Sequence, residues 1–332
     1  MARSSPMTDL YTRLQDVGFP RAYVRDRILP EWWDDELARD PGNRRIAEMV
    51  ISRTLKISLH SLVDPTATLS LEGARAVRFK HWQDADEVRL LPAVALARRI
   101  FELLLSCAKT LPVCRLEGCD PKELRERILA QTQYVTLGAL LRRCWDLGVP
   151  VVHLDSLPQG AKRVDGMAFT VGDRPCIALA SSRHSPAWLI WHLAHEMGHV
   201  ARGHLRTGAA LDETIDFKAP DREEKEANTF GKALIYGETA VFKADRHITG
   251  DNLAAQARNL GPAHRIWPPC IVTSYGFHME NAWATAQKAL NSLDIAKGGP
   301  EEIRRELAQR IDLDQLSETD RCFFIRATGV PE

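Results

Sequence analysis

The sequence lacks features that would assign it to several large classes of protein. Its 332 residues include 44 basic and 44 acidic side chains, so no net charge favours nucleic acid or an anionic membrane as a partner. The N-terminal segment has no apolar run typical of a signal peptide. No later stretch has the roughly 18 unbroken apolar residues of a membrane span. We therefore expect a cytoplasmic protein that does not enter a membrane.

Paired cysteines are also missing. The seven cysteines are odd in number, scattered along the chain, and without a CxxC pair. In the absence of a secretion signal, such thiols are expected to stay reduced. A structural zinc knuckle and a secreted general protease are both disfavoured.

The first two regions of the chain, residues 1–75 and 76–147, show helical patterns. Region 1–75 looks like a degenerate helix-turn-helix domain. A DNA-reading helix would cluster basic residues on one face, whereas those here are offset by an acidic run before them. We expect a packing or protein-contact region with Trp32 and Trp33 buried, followed by a helical linker or regulatory region.

The pattern changes at Gly148, where short apolar and β-branched runs begin. They predict strands, and Gly172-Asp173-Arg174 predicts a hairpin turn between the last two. The predicted strands are 150–154, 166–171 and 175–180. Helices are predicted from Ser185-Pro186 to near Gly203, over 222–236, and in a C-terminal region, 276–332. The predicted fold class is α+β, mainly helical, with a small β-sheet packed against the helix that begins at Pro186.

That helix contains the segment WLIWHLAHEMGH, which ends at His199. His195 and His199 are four residues apart, about 40° around the helix axis, so both imidazoles leave the same face. With Glu196 beside the first histidine, they form an HExxH motif, which is typical of a zinc site.

The same helix does not carry a third ligand at the spacing found in metzincins. Metzincins place a glycine and a histidine seven and ten positions after the first histidine of HExxH. Arg202 and Leu205 occupy those positions, and Gly203 and His204 are one residue out of register.

The next helix offers a carboxylate instead. Glu224 heads a stripe of mostly small residues, continued by Ala227, Asn228 and Gly231, that would let the two helices approach closely. Glu224 is therefore the expected third ligand, and Asn228 is expected to hydrogen-bond a ligand imidazole. Glu223 and Glu226 are the fallback ligands, although a solvated helix face is the simpler interpretation of both.

Such a site predicts metal-assisted hydrolysis. Zinc lowers the pKa of bound water to near 7 and polarises a carbonyl, and Glu196 would move the water's proton to the leaving amine. His192 is expected to pack or to contact a ligand from outside, and His204 to interact with the helix C-terminus.

HLAHEMGHVARGH followed by EEKEANTFGKAL resembles the ImmA/IrrE family of zinc metallopeptidases, whose hallmark pairs HExxH with an ExEAN-x-F helix. The likeness spans roughly residues 145–275. It implies one zinc ion held by His195, His199 and Glu224, with Glu196 as general base, in a metallopeptidase domain over 148–275. One departure is the segment from Ala233 to Gly237, which replaces a Leu-Leu-Met-Pro type ending and concerns the substrate cleft.

The resemblance also implies a function. Such an enzyme would cut a helix-turn-helix transcriptional repressor, encoded nearby, and so derepress stress, mobile-element or anti-phage defence genes after DNA damage. Single-stranded DNA is the candidate signal. The alternative is a non-proteolytic regulator that keeps the peptidase fold and binds DNA or a transcription factor.

A thiolate in the fourth zinc position would silence such an enzyme. Cys114 is the candidate because it lies in a loop between predicted helices, and Cys119 and Cys176 are the alternatives. An ordinary buried or surface thiol is the simpler interpretation of Cys114.

Overall fold

A computed structural model describes the chain in two compact units. Unit 1 comprises Met1–Thr110, Leu154–Arg163 and Arg310–Glu332, and unit 2 comprises Leu111–His153 and Val164–Gln309. These units do not coincide with the four regions expected from the sequence, whose boundaries stay predictions; the one at 75/76 lies outside the described residues. The described residues are 5–71, 84–154, 157–161, 164–207, 210–212, 221–238 and 247–331.

Unit 1 is helical in its described part. Its helices are α1 (Thr8–Asp16), α2 (Arg21–Tyr23), a π-helix (Val24–Ile28), a 3-10 helix (Asp35–Arg39), α3 (Pro41–Leu55), α4 (Leu59–Val63), α5 (Asp84–Cys107), a second 3-10 helix (Leu313–Gln315) and α14 (Glu318–Thr328).

Buried carboxylates organise unit 1. Asp35 accepts hydrogen bonds from the Tyr11 hydroxyl at 2.6 Å and the Trp33 indole N–H at 3.2 Å, and it pairs with Arg21 at 2.7 Å. Trp33 is buried as expected, but Trp32 is 63% exposed, so the expectation of two buried tryptophans is wrong for Trp32. The side chain of Trp33 turns inward because it has a buried partner for its N–H.

Asp320 of α14 is the second such carboxylate. It pairs with buried Arg99 of α5 at 2.6 Å and with Arg53 of α3, so the last helix is fixed to two helices from the first third of the chain. A bridge between Ala108 and Ile311 pairs the strand-like segments that follow α5 and precede the second 3-10 helix.

Unit 2 contains the sheet and the remaining helices. These are α6 (Pro121–Leu129), α7 (Leu137–Asp146), β1 (Val151–His153), β2 (Gly166–Val171), β3 (Arg174–Leu179), α8 (Pro186–Ala201), a 3-10 helix (His204–Thr207), β4 (Ala210–Asp212), α9 (Arg222–Tyr236), α10 (Gly250–His264), α11 (Pro268–His278), α12 (Trp283–Ser292) and α13 (Gly299–Arg310).

The sheet has four strands in the order β1-β3-β2-β4. β1 is parallel to β3, whereas β2 is antiparallel to both β3 and β4. β2 and β3 are joined by the predicted tight turn, in which Gly172 has φ +60° and Val171 pairs with Arg174. The mainly helical α+β fold with a small sheet is confirmed.

Helix α8 is the centre of unit 2, and every one of its residues is buried. It contacts β2, β3, α7, α9 and α11. Its start follows from the sequence, because Ser185 caps it by accepting from the Ala187 N–H and Pro186 occupies the first helical position. Helix α8 is therefore held on all sides, which fixes the direction of its side chains. No helix in the described part of the chain is both long and apolar enough to cross a membrane.

Candidate metal centre

Three side chains from α8 and α9 converge in unit 2. His195 Nε2 and His199 Nε2 are 3.0 Å apart, and they lie 3.3 Å and 3.4 Å from the carboxylate oxygens of Glu224. Both histidines are about 1% exposed, whereas the side chain of Glu224 is 26% exposed. Glu224 therefore forms the accessible side of the site.

The spacing of these atoms fits a zinc ion. A tetrahedral site with bonds of about 2.0–2.1 Å separates its ligand atoms by about 3.3 Å, close to the observed separations. Two imidazoles and one carboxylate are also the ligand set of catalytic zinc sites. In the described part of the chain, no other group of three His, Cys, Asp or Glu side chains lies this close together.

Helix caps fix the positions of the ligands along α8 and α9. Asp221 begins α9 by accepting from the N–H groups of Glu223 and Glu224, which places Glu224 in the first turn. Because α8 begins at Pro186, the two histidines fall in its third and fourth turns, on the face toward α9. The predicted start and end of α9 are confirmed.

Gly198 allows the two helices to approach closely, and Gly231 faces α8 at an ordinary contact distance. A Cβ atom at Gly198 would lie 2.8 Å from the Cα and carbonyl oxygen of Ala227, and one at Gly231 would lie 3.4 Å from the backbone of Ala194. The predicted stripe of small residues on α9 therefore faces α8. This close approach brings the Glu224 carboxylate to the histidines.

Asn228 holds the first histidine. Its Oδ1 lies 3.1 Å from His195 Nδ1. A neutral histidine that binds metal through Nε2 carries its proton on Nδ1, so His195 donates to Asn228. The hydrogen bond predicted for Asn228 is thus present in the structure.

The second histidine has a partner that the sequence did not reveal. His204 Nδ1 lies 3.0 Å from His199 Nδ1, and His204 Nε2 lies 3.1 Å from Glu226 Oε2. Glu226 also accepts from Arg222 Nε at 2.7 Å. For His204 an interaction with the helix C-terminus was expected, and for Glu226 a solvated helix face; neither expectation included the series of hydrogen bonds through which both lead to His199. The signal in the sequence was Gly203, whose φ of +73° turns the chain back beneath the helix.

The protonation states of Glu226 and His204 are consistent with these hydrogen bonds. Arg222, and then His204, lower the pKa of Glu226, so its carboxylate is ionised at neutral pH. Burial lowers the pKa of His204 and outweighs the opposing hydrogen bond from Glu226.

Glu196 lies three residues before His199, so its side chain leaves α8 about 60° from that ligand. It is 1% exposed and packs against β2 at Gly166, where a Cβ atom would come within 2.4 Å of Glu196 Oε1. A strand carrying any other residue there would displace the carboxylate. The structure thus combines a buried carboxylate with an adjacent set of side chains that could bind a metal ion.

The remaining candidates lie outside the group of three ligands. Cys114 is half-buried in the segment between α5 and α6, where the N–H of the next residue donates to the Leu147 carbonyl. Burial raises the pKa of the Cys144 thiol, and Cys114 raises it further. Thus the structure places Cys114 near the end of α7, and its inhibitory role stays a prediction. Buried His192 lies 3.8 Å from the Asp165 carboxylate.

A comparison with known protein families matches the region that contains His195, His199 and Glu224. The family model of peptidase M78, described as the IrrE N-terminal-like domain, matches residues 144–256, which include α8 and α9. A search of curated proteins found no significant match. The match supports a metallopeptidase-type function, and the ligand cluster fits it. Residues 144–256 are therefore similar to the IrrE N-terminal-like domain, and this match supports membership of the ImmA/IrrE family.

Proposed function

We propose that the chain is a zinc-dependent endopeptidase that makes limited, regulated cuts in a helix-turn-helix transcriptional repressor. One observation carries the enzymatic part of this proposal. The donor atoms of His195, His199 and Glu224 converge within 3.0–3.4 Å of one another beside the buried carboxylate of Glu196. A purely structural metal site would not require an additional carboxylate at that place.

His195, His199 and Glu224 would hold the zinc ion. When bound there, zinc supplies a Lewis acid that polarises a carbonyl and makes water more acidic. Asn228 and His204 orient the two imidazoles so that each presents Nε2 inward. Glu196 accepts the proton of the attacking water at its carboxylate and returns it to the leaving amine, as a general base and then a general acid.

The substrate class rests on the family. The family resemblance carried by the paired motif HExxH and ExEAN-x-F implies a repressor, encoded nearby, as the substrate. Its cleavage in the cytoplasm would derepress stress, mobile-element or anti-phage defence genes. Single-stranded DNA is the activating signal that we propose to test first.

Co-incubation of the full chain with the neighbouring repressor tests this function. We expect the zinc-loaded wild type to cut the repressor at one or a few sites, observed by mass spectrometry, with and without single-stranded DNA. Glu196→Gln should still bind zinc but lose cleavage by at least about a hundredfold, the lower end of general acid–base contributions. A chelator should abolish cleavage, and added zinc should restore it.

Binding without cleavage would contradict the proposal. If the wild type and Glu196→Gln bind the repressor or DNA equally and neither cuts, the chain is a non-proteolytic regulator that keeps the peptidase fold.

A further inference from the structure

The two metal-binding histidines are supported in different ways. His195 is held by Asn228 from the facing helix α9, whereas the partner of His199 comes from the chain directly after α8. At that point Gly203 adopts a left-handed conformation and its N–H bonds the Val200 carbonyl. The 3-10 helix that begins at His204 therefore returns toward His199.

The hydrogen-bond directions at His204 follow from those at His199. If His199 presents Nε2 to the metal, its Nδ1 carries the proton and donates to the atom 3.0 Å away, which is His204 Nδ1. His204 must then accept at Nδ1 and carry its own proton on Nε2. That nitrogen lies 3.1 Å from the Glu226 carboxylate, which can only accept.

We propose that His204 is a positioning residue for the metal ligand His199 and that Glu226 fixes His204 in the tautomer able to accept. Helix α9 thus contributes twice to the site, since it carries Glu224, which would bind the ion, and, half a turn later, the carboxylate that anchors His204. Arg222, at 2.7 Å from Glu226 Oε1, holds that carboxylate in place. The proposal depends on the metal-binding part of the proposed function and not on cleavage of a repressor.

The contact between His199 and His204 is shielded from solvent. His199 is 1% exposed and His204 is 6% exposed, so water has little access to replace a lost hydrogen bond between them. Partners of metal-binding histidines fix the ring orientation and raise the basicity of the ligand, and their loss typically weakens metal binding tenfold to a hundredfold. Loss of His204 should therefore be visible in metal affinity alone.

An isosteric pair of variants separates hydrogen bonding from packing. His204→Asn places an amide oxygen close to where Nδ1 stands, which is the solution Asn228 already provides for His195. His204→Leu has the same branching but no acceptor. Lys225→Gln, an exposed position on α9, is the control. The zinc dissociation constant of each full-length protein is measured by competition with a chromophoric chelator, and the cobalt-loaded proteins are compared by visible absorption.

We expect His204→Leu to weaken zinc binding by about tenfold to a hundredfold and to change the cobalt spectrum, whereas His204→Asn recovers most of the affinity. Glu226→Ala should weaken binding by up to about tenfold, because His204 is then free to adopt the other tautomer. Lys225→Gln should match the wild type.

Wild-type affinity in His204→Leu, or equal losses in His204→Leu and His204→Asn, would overturn the proposal. Should His204→Leu fail to fold, Glu226→Ala and His204→Asn decide the matter, and wild-type affinity in Glu226→Ala would refute the role of Glu226. None of these measurements uses a peptide substrate, so a failure to cut any repressor would leave them unaffected.

Discussion

The carboxylate of Glu196 depends on a residue that has no side chain. Glu196 was predicted from the spacing of HExxH, because neighbouring positions on a helix have fixed directions. Gly166 was predicted only as the first residue of a strand. Its contact with Glu196 joins two segments thirty residues apart, and no local pattern in the sequence encodes that contact.

Gly166→Ala should impair the chemical step of the proposed peptidase. A Cβ atom at this position would lie 2.4 Å from Glu196 Oε1, so the carboxylate must move. A displacement of about 1 Å can cost a hundredfold in rate, and we expect kcat to fall by about tenfold to a hundredfold. The zinc dissociation constant should remain within about twofold of wild type. Unchanged kcat would show that Glu196 does not need this position.

Asp35 makes the stability of unit 1 dependent on pH. Burial acts to raise the pKa of this carboxyl, but hydrogen bonds from Tyr11 and Trp33 and the charge of Arg21 outweigh it and lower the pKa. A lowered pKa means that Asp35 stabilises the fold above about pH 4, the usual range of a carboxyl, and that this stabilisation is lost as the pH falls further.

Asp35→Asn should therefore flatten the acid side of the stability profile. The measurement is urea unfolding of each protein between about pH 6 and pH 3. The wild type should lose stability over this interval more steeply than Asp35→Asn, because the variant has no carboxyl to protonate. Asp34→Asn, at an exposed cap position, is the control and should follow the wild type. Equal slopes for wild type and Asp35→Asn would contradict the assignment.

Helices and their caps were the most predictable elements. The starts of α6, α8 and α9 follow from Asp120-Pro121, Ser185-Pro186 and Asp221, because a capping side chain and a proline act within one turn. The segment Trp267-Pro268-Pro269-Cys270 has the prolines typical of a turn, but Pro268 is the first residue of α11. Strand β4 was missed since its three residues, Ala210–Asp212, form a strand only by pairing with β2.

The crossing of α8 and α9 depends on Gly198. A methyl group there would meet the backbone of Ala227 at 2.8 Å, and backbone cannot rotate away. We expect Gly198→Ala to lower the free energy of unfolding by about 1–3 kcal/mol and to weaken zinc binding, because α9 carries Glu224 outward. Gly231→Ala is the matched control, since its Cβ would lie at an ordinary contact distance of 3.4 Å. Equal effects of the two substitutions would show that the close approach of α8 and α9 at Gly198 does not determine the position of Glu224.

At the scale of the whole molecule, the sequence did not indicate that the last helix belongs with the first ones. Arg99 and Asp320 are 221 positions apart, and no local sequence pattern around either residue identifies its partner. Periodicity and capping act over a few residues, whereas the division into units arises from contacts between distant segments.

Asp320→Asn should destabilise unit 1 selectively. Removal of the Asp320 carboxylate leaves buried Arg99 with only the more distant Glu102 carboxylate, at 3.5 Å, and loss of one partner of a buried pair typically costs about 3 kcal/mol. Hydrogen exchange should show lower protection in α3 and α5, while the zinc dissociation constant stays at the wild-type value. Asp314→Asn, whose carboxylate is 85% exposed and pairs with Arg321, should change little. Equal protection in both variants would contradict this role of Asp320.

The position of Asp320 also has a consequence for the timing of folding during synthesis. Helices α3 and α5 leave the ribosome early, but Asp320, which pairs with Arg99 at 2.6 Å, is made only after the roughly 200 residues of unit 2. At about 5–20 residues per second, that interval lasts about 10–40 s. Throughout it, Arg99 has the Glu102 carboxylate of its own helix at 3.5 Å but lacks Asp320, so the pairings that fix α14 to α3 and α5 form only after α14 has emerged.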